Sequence, residues 1–117
     1  MWRWVPPLLW AAFILVLTSI PGSMIPSVGI PNLDKLVHLT LYGVLGLLTA
    51  RAVWRPGAKR VALTVALGIS LFGALDEWHQ QFIPGRSMEV LDWTADTLGA
   101  ACGIAVASIL RGRDSAS

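Results

Sequence analysis

The stretch Asp92-Trp93-Thr94-Ala95-Asp96-Thr97-Leu98-Gly99-Ala100-Ala101-Cys102-Gly103 decides how this chain folds. It opens an apolar run from Trp93 to Leu110 in which Asp96 is the one acid. At about 100° per residue, Asp92, Asp96, Gly99 and Gly103 fall at roughly 0°, 40°, 340° and 20°, on a single helical stripe. A Gly-x-x-x-Gly pair lets a second helix backbone come close. The two acids are then directed at that neighbour and away from lipid, where a charge is costly. The stripe predicts a polar seam between packed membrane helices, with a plain packing face as the alternative.

Working outward, three more apolar runs precede this one, from Val5 to Ile20, Leu36 to Val53 and Val61 to Leu75, separated by Pro/Gly-rich or charged breaks. Of the 117 residues 55% are hydrophobic and 14% charged, against roughly 25% charged in a soluble domain. The mean hydropathy is +0.64. Sixteen charged residues cannot cover the surface of so small a globule, so the apolar surface needs lipid. The six Trp suit a membrane boundary. Cys102 is alone, which excludes an intrachain disulfide and a cysteine metal cage. A net charge of +2 gives no reason to invoke nucleic acid.

At about 1.5 Å per residue these runs fall slightly short of a hydrocarbon core of about 30 Å, so polar residues must complete the helices. Asp34, the segment from Asp76 to Gln81 and the segment from Asp92 to Asp96 do so. The reading is an all-α polytopic membrane protein with four transmembrane helices, a single domain over residues 1–111 and a disordered tail over 112–117. With four spans, Arg3, Arg51, Arg55, Lys59, Arg60, Arg111 and Arg113 share one side with Asp114. Lys35 and Arg86 share the other with Asp34, Asp76, Glu77, Glu89, Asp92 and Asp96. Positive charge stays inside, so both termini are expected in the cytoplasm and the acids at the outer face. A cleaved signal peptide competes for the N-terminus, but the run ends Thr18-Ser19-Ile20-Pro21-Gly22-Ser23 without a small-x-small site.

Asp34 and His38 are four residues apart on a helix that Asn32 or the preceding turn can cap, so they share a face and can touch. Tyr42, one turn deeper, could extend the polar file. On the next helix Gly73, Asp76, Glu77 and Gln80 share a face, and adjacent Asp76 and Glu77 demand a counter-ion, for which Arg86 is the nearest candidate. The bland readings are an interfacial Asp/His pair and a hydrophilic hairpin loop.

Three ordered blocks resemble the VanZ-like family of small bacterial membrane proteins: Asp34-Lys35-x-x-His38-x-x-x-Tyr42-x-x-Leu45-Gly46, Asp76-Glu77-x-x-Gln80-x-Phe82-x-Pro84-Gly85-Arg86 and Asp92-x-x-x-Asp96-x-x-Gly99. The resemblance runs from about Leu33 to Gly103. It implies a multi-pass protein of the bacterial cytoplasmic membrane. The family's namesake is associated with low-level teicoplanin resistance, and the position of Asp96 is often Asn in relatives.

The expected site is therefore Asp34, His38, Asp76, Glu77, Gln80, Arg86, Asp92 and Asp96, converging from three helix ends at the outer leaflet. Acids and His38 could bind a divalent cation, the one cofactor in view, while Arg86 and helix N-termini could receive a phosphate or carboxylate. The expected partner is a membrane lipid or lipid-linked envelope precursor, bound or altered there, with a homo-oligomer left open. Two rivals stand beside this: a metal-assisted intramembrane enzyme acting on a lipid phosphate, which would want a more specific ligand motif, and a small multidrug-type transporter, which would want an acid at the bilayer midplane.

Overall fold

Pro6 and Pro7 open the first helix where a missing N–H costs nothing, behind a short 3-10 turn at Trp2–Trp4. The computed structural model describes residues 2–21, 33–53, 59–86 and 89–116, without the side chains of 59 and 112–116. Among them are four helices and no strand: α1 (Val5–Thr18), α2 (Leu33–Val53), α3 (Lys59–Gln80) and α4 (Val90–Ala116). The polar ends do extend the apolar runs. α2 takes in Asp34, α3 continues through Asp76, Glu77 and Gln80, and α4 starts ahead of Asp92. Asn32, the expected cap of α2, lies outside the described residues. The backbone of α4 stays helical through 112–116, a segment whose composition alone favours an irregular tail.

Among the described residues three helices, over Leu33–Val53, Arg60–Gln80 and Val90–Arg111, are long and apolar enough to cross a membrane, and the segment Trp2–Thr18 is shorter. At about 1.5 Å per residue, the 14 residues of α1 reach only about 21 Å. Only 22–33% of each long span is buried inside the protein. Leu63, Leu67, Leu71 and Leu75 form an exposed stripe along α3, four residues apart. In water such a face would be an aggregation liability; in a bilayer it is the lipid contact.

The tightest pairing is α4 against α2, and it is made by glycine. A Cβ on Gly103 would fall on the carbonyl oxygen of Gly43, one on Gly99 on that of Leu39, and one on Gly46 on that of Ala100. Two backbones therefore meet directly, as the stripe on α4 requires. On the partner surface of α2, Gly46 stands in one of the quoted sequence blocks, whereas Gly43 carried no signal of its own. Around this seam Ile14, Tyr42, Leu45, Val65, Ile69, Ala100 and Ile104 form the apolar core. Trp10 ties α1 to α2 by donating its indole N–H to the Leu41 carbonyl at 2.8 Å, and Trp93 ties α4 to α3 through the Ser70 carbonyl at 2.9 Å.

Candidate functional site

Four carboxylates are buried together where α2 begins, α3 ends and α4 begins: Asp76, Glu77, Asp92 and Asp96. The close approach of α4 to α2 places Asp96 against His38, whose Nδ1 lies 2.7 Å from Asp96 Oδ1. A lone pair facing a carboxylate would repel it, so the proton of this pair sits between the two atoms, donated by His38 Nδ1 when Asp96 is ionised. The same Nδ1 lies 3.7 Å from Glu77 Oε1, and His38 Nε2 lies 4.0 Å from Asp92 Oδ2. Room for Asp96 comes from Gly73 on α3, where a Cβ would stand 3.1 Å from Asp96 Oδ2.

Each acid has its own set of neighbours. Asp76 accepts from Thr18 Oγ1 at 2.8 Å and from the Tyr42 hydroxyl at 3.1 Å. Glu77 accepts from the backbone N–H of Glu89 at 3.2 Å, and the Gln80 amide, oriented to donate, reaches its Oε1 at 2.9 Å. Lys35 closes the mouth: its Nζ contacts Glu89, lies 2.8 Å from exposed Asp34 and 3.1 Å from Asp92 Oδ1. The last contact is a charge approach without hydrogen-bond geometry, so among the described residues Asp92 Oδ1 has no hydrogen-bond donor, and neither does Asp96 Oδ2. Asp96 is completely inaccessible to solvent. A buried carboxylate oxygen left without a donor is expensive, and such a feature calls for an explanation beyond packing.

Arg86 does not serve as the counter-ion. It is the last residue of a turn, Ile83-Pro84-Gly85-Arg86, closed by the Arg86 N–H on the Ile83 carbonyl, with Gly85 at a φ of 75° that favours glycine. From there its guanidinium donates to Ile20 O at 3.0 Å and Leu17 O at 3.3 Å, binding the end of α1, where helix carbonyls lack partners. Among the described residues it pairs with no carboxylate. The Asp34–His38 contact is likewise not formed: Asp34 turns outward to Lys35, while His38 turns inward to Asp96. Of the expected residues, His38, Asp76, Glu77, Gln80, Asp92 and Asp96 are brought together; Asp34 stays at the rim and Arg86 at α1.

A family model described as VanZ/LLP1 matches residues 4–111. The chain belongs to the VanZ-like family. No curated protein and no solved structure matches the chain. With its apolar helices, this VanZ-like chain is a membrane protein.

Sequence reasoning missed three parts of the VanZ-like site. Lys35 supplies the ammonium at the mouth, Thr18 brings α1 to Asp76, and Glu89 contacts Lys35 by its side chain and Glu77 by its backbone. Lys35 could have been found from its place beside Asp34 in the first turn of α2. Thr18 and Glu89 carried no periodic signal. His38, Glu77 and Asp96, all three buried, each offer a ligand atom within 4.8 Å of the others, so the group could hold a metal ion. One His nitrogen with two carboxylate oxygens suits zinc, manganese or iron, which bind such atoms at about 2.0–2.2 Å. Asp34, Glu89 and Asp92 form a second, more exposed group of this kind at the mouth.

Proposed function

We propose that this VanZ-like protein binds a cell-envelope component at the outer leaflet of the bacterial cytoplasmic membrane, through the acid cluster at the helix ends. The observation that carries the reading is the excess of buried acids over the cations beside them. Of the four buried carboxylates, Glu77, Asp92 and Asp96 face Lys35 or His38 and Asp76 faces the hydroxyls of Thr18 and Tyr42, so even a protonated His38 leaves the acids in excess. Such a cluster accepts a cationic or hydroxyl-rich head group directly, and a lipid phosphate through a bridging divalent cation. A bare phosphate on Arg86 fits less well, since that guanidinium is engaged with α1. With four spans, the distribution of Lys and Arg places both termini in the cytoplasm and the cluster outside. A contribution to teicoplanin tolerance would follow if the bound component were the lipid-linked precursor on which glycopeptides act.

Native mass spectrometry of the full chain extracted with its own lipids tests the reading. A retained polyprenyl or phospholipid species that is lost in Glu77→Gln and Asp92→Asn supports it. The same retention in wild type and both variants would overturn it. A metal-assisted enzyme acting on a lipid phosphate is the second reading, favoured by the buried His38, Glu77 and Asp96 group. It requires stoichiometric zinc, manganese or iron in the purified protein, absent in His38→Gln. A multidrug-type transporter is disfavoured by acids gathered at helix ends and none at the middle of a span.

A further inference from the structure

Among the described residues, two groups of three potential metal ligands adjoin at the polar end of the bundle, and they differ in what faces them. Asp34, Glu89 and Asp92 all contact the Lys35 ammonium, which closes that group. His38, Glu77 and Asp96 form no ion pair with a Lys or Arg among the described residues. The undescribed segments 22–32 and 87–88, next in sequence to this end, contain no Lys, Arg or His. Arg86 is engaged with α1, and the other basic residues lie at or beyond the opposite helix ends. Only 6% of His38, 2% of Glu77 and none of Asp96 is exposed, so water does not screen these charges. Asp96 Oδ2, which shares its carbon with the oxygen facing His38, has no donor among the described residues.

The His38 ring shows what kind of cation the group suits. Its Nδ1 faces two acids, Asp96 Oδ1 at 2.7 Å and Glu77 Oε1 at 3.7 Å, and its Nε2 faces a third, Asp92 Oδ2 at 4.0 Å. One proton on Nδ1 can satisfy only the nearer acid, whereas an ion accepts electron pairs from Nδ1 and both carboxylates. Ligand atoms on a tetrahedral zinc stand about 3.4 Å apart. The 2.7 Å pair must therefore open, and the 3.7 Å pair close, by less than an ångström. The shared proton leaves as the ion binds. In metal sites a ligating His gives its other N–H to a carboxylate, and ligating carboxylates are themselves hydrogen-bonded. Asp92 stands on the Nε2 side of His38, and Glu77 is held by the Glu89 N–H and the Gln80 amide. We propose that His38 Nδ1, Glu77 and Asp96 bind one zinc-type divalent ion, and that Asp92 is a positioning residue acting through His38. Calcium and magnesium suit the group less, since they prefer oxygen ligands throughout. The proposal rests on reading the acid cluster as the functional site, and it holds whether or not the ion assists a reaction.

The test is calorimetric titration of the full chain, purified in detergent and stripped with a chelator, with zinc chloride alone. One zinc per chain should bind, also in excess magnesium. Asp96→Asn, which keeps an acceptor for His38, and Glu77→Gln should each weaken binding at least about tenfold. A thermal midpoint equal to wild type shows that the Asp96→Asn chain is folded. Cobalt loaded in place of zinc reports the ligand set by its visible absorption. Asp92→Asn should lower cobalt affinity about tenfold and keep the band shape, whereas His38→Gln should abolish the band. His79, the second of the two His, is exposed, so His79→Gln is the control for adventitious surface zinc and should bind as wild type does. Absence of zinc from wild type, equal affinity in Asp96→Asn and Glu77→Gln, or loss of zinc in His79→Gln would each overturn the metal centre, and a changed band shape in Asp92→Asn would overturn its positioning role. No lipid enters this titration, so a chain that retains lipid without binding zinc removes the metal centre alone, and one that binds zinc without retaining lipid keeps the centre and removes the lipid reading.

Discussion

His38 Nδ1 and Asp96 Oδ1 meet at 2.7 Å across 58 residues of sequence, and this contact locks the polar end of α2 to α4. Asp96→Asn keeps an acceptor for the His38 N–H and removes a buried charge, one of whose oxygens has no donor. It should therefore leave the thermal midpoint in detergent nearly unchanged. Asp96→Leu strands His38 in a buried, acidic setting and should lower that midpoint by roughly 10 °C, from a loss of about 2–3 kcal/mol. Equal midpoints for the two variants would mean that the contact does not hold the helices.

Gly99→Leu and Gly103→Leu should disrupt the bundle, because a side chain at either position must displace a backbone carbonyl of α2. Leu98→Val, on the exposed face of the same helix, should change the midpoint little. Detergent thermal scans of the three variants check this, and indistinguishable curves would remove α2 as the glycine-packed neighbour.

The glycine stripe was legible in the sequence because Asp92, Asp96, Gly99 and Gly103 all lie on α4 and share its period. The face of Asp76, Glu77 and Gln80 was legible for the same reason, since one helix carries all three. What escaped were relationships between helices. His38 could be paired by spacing only with Asp34, whereas its partner is Asp96, fixed by how closely α2 and α4 approach. Arg86 was the nearest cation to Asp76 and Glu77 along the chain, yet the turn at Pro84-Gly85 delivers it to α1. Helical periodicity reports which residues share a face; it does not report what that face meets.

Single cysteines introduced into a Cys102→Ser background should report the sidedness. Positions Val28 and Ser87 should react with an impermeant maleimide added to intact cells, and Ala58 and Ser115 should react only after lysis. Val28, Ser87 and Ala58 lie outside the described residues, so the expectation rests on charge distribution alone. External labelling at Ala58 would invert the orientation and put the acid cluster in the cytoplasm.

The acids should act as one unit, because they share their few cations. Lys35 faces Asp34, Glu89 and Asp92, while His38 faces Asp96, Glu77 and Asp92, so a change at one carboxylate alters the field at the others. Glu77→Gln, Asp92→Asn and Asp96→Asn should each reduce lipid retained on extraction at least about tenfold, through the loss of a charged contact. Any two together should lose little more than one alone, as groups in one network do. Asp34→Asn should have a small effect, since Asp34 is 58% exposed and its ion pair with Lys35 is screened by water. Glu89→Gln should fall between these limits through its contact with Lys35. His79→Gln, exposed and turned away from the buried face of α3, is the control and should retain lipid as the wild type does. Losses that multiply from single to double variants would mean that the carboxylates act separately, and the shared site would have to be given up in favour of independent interfacial charges.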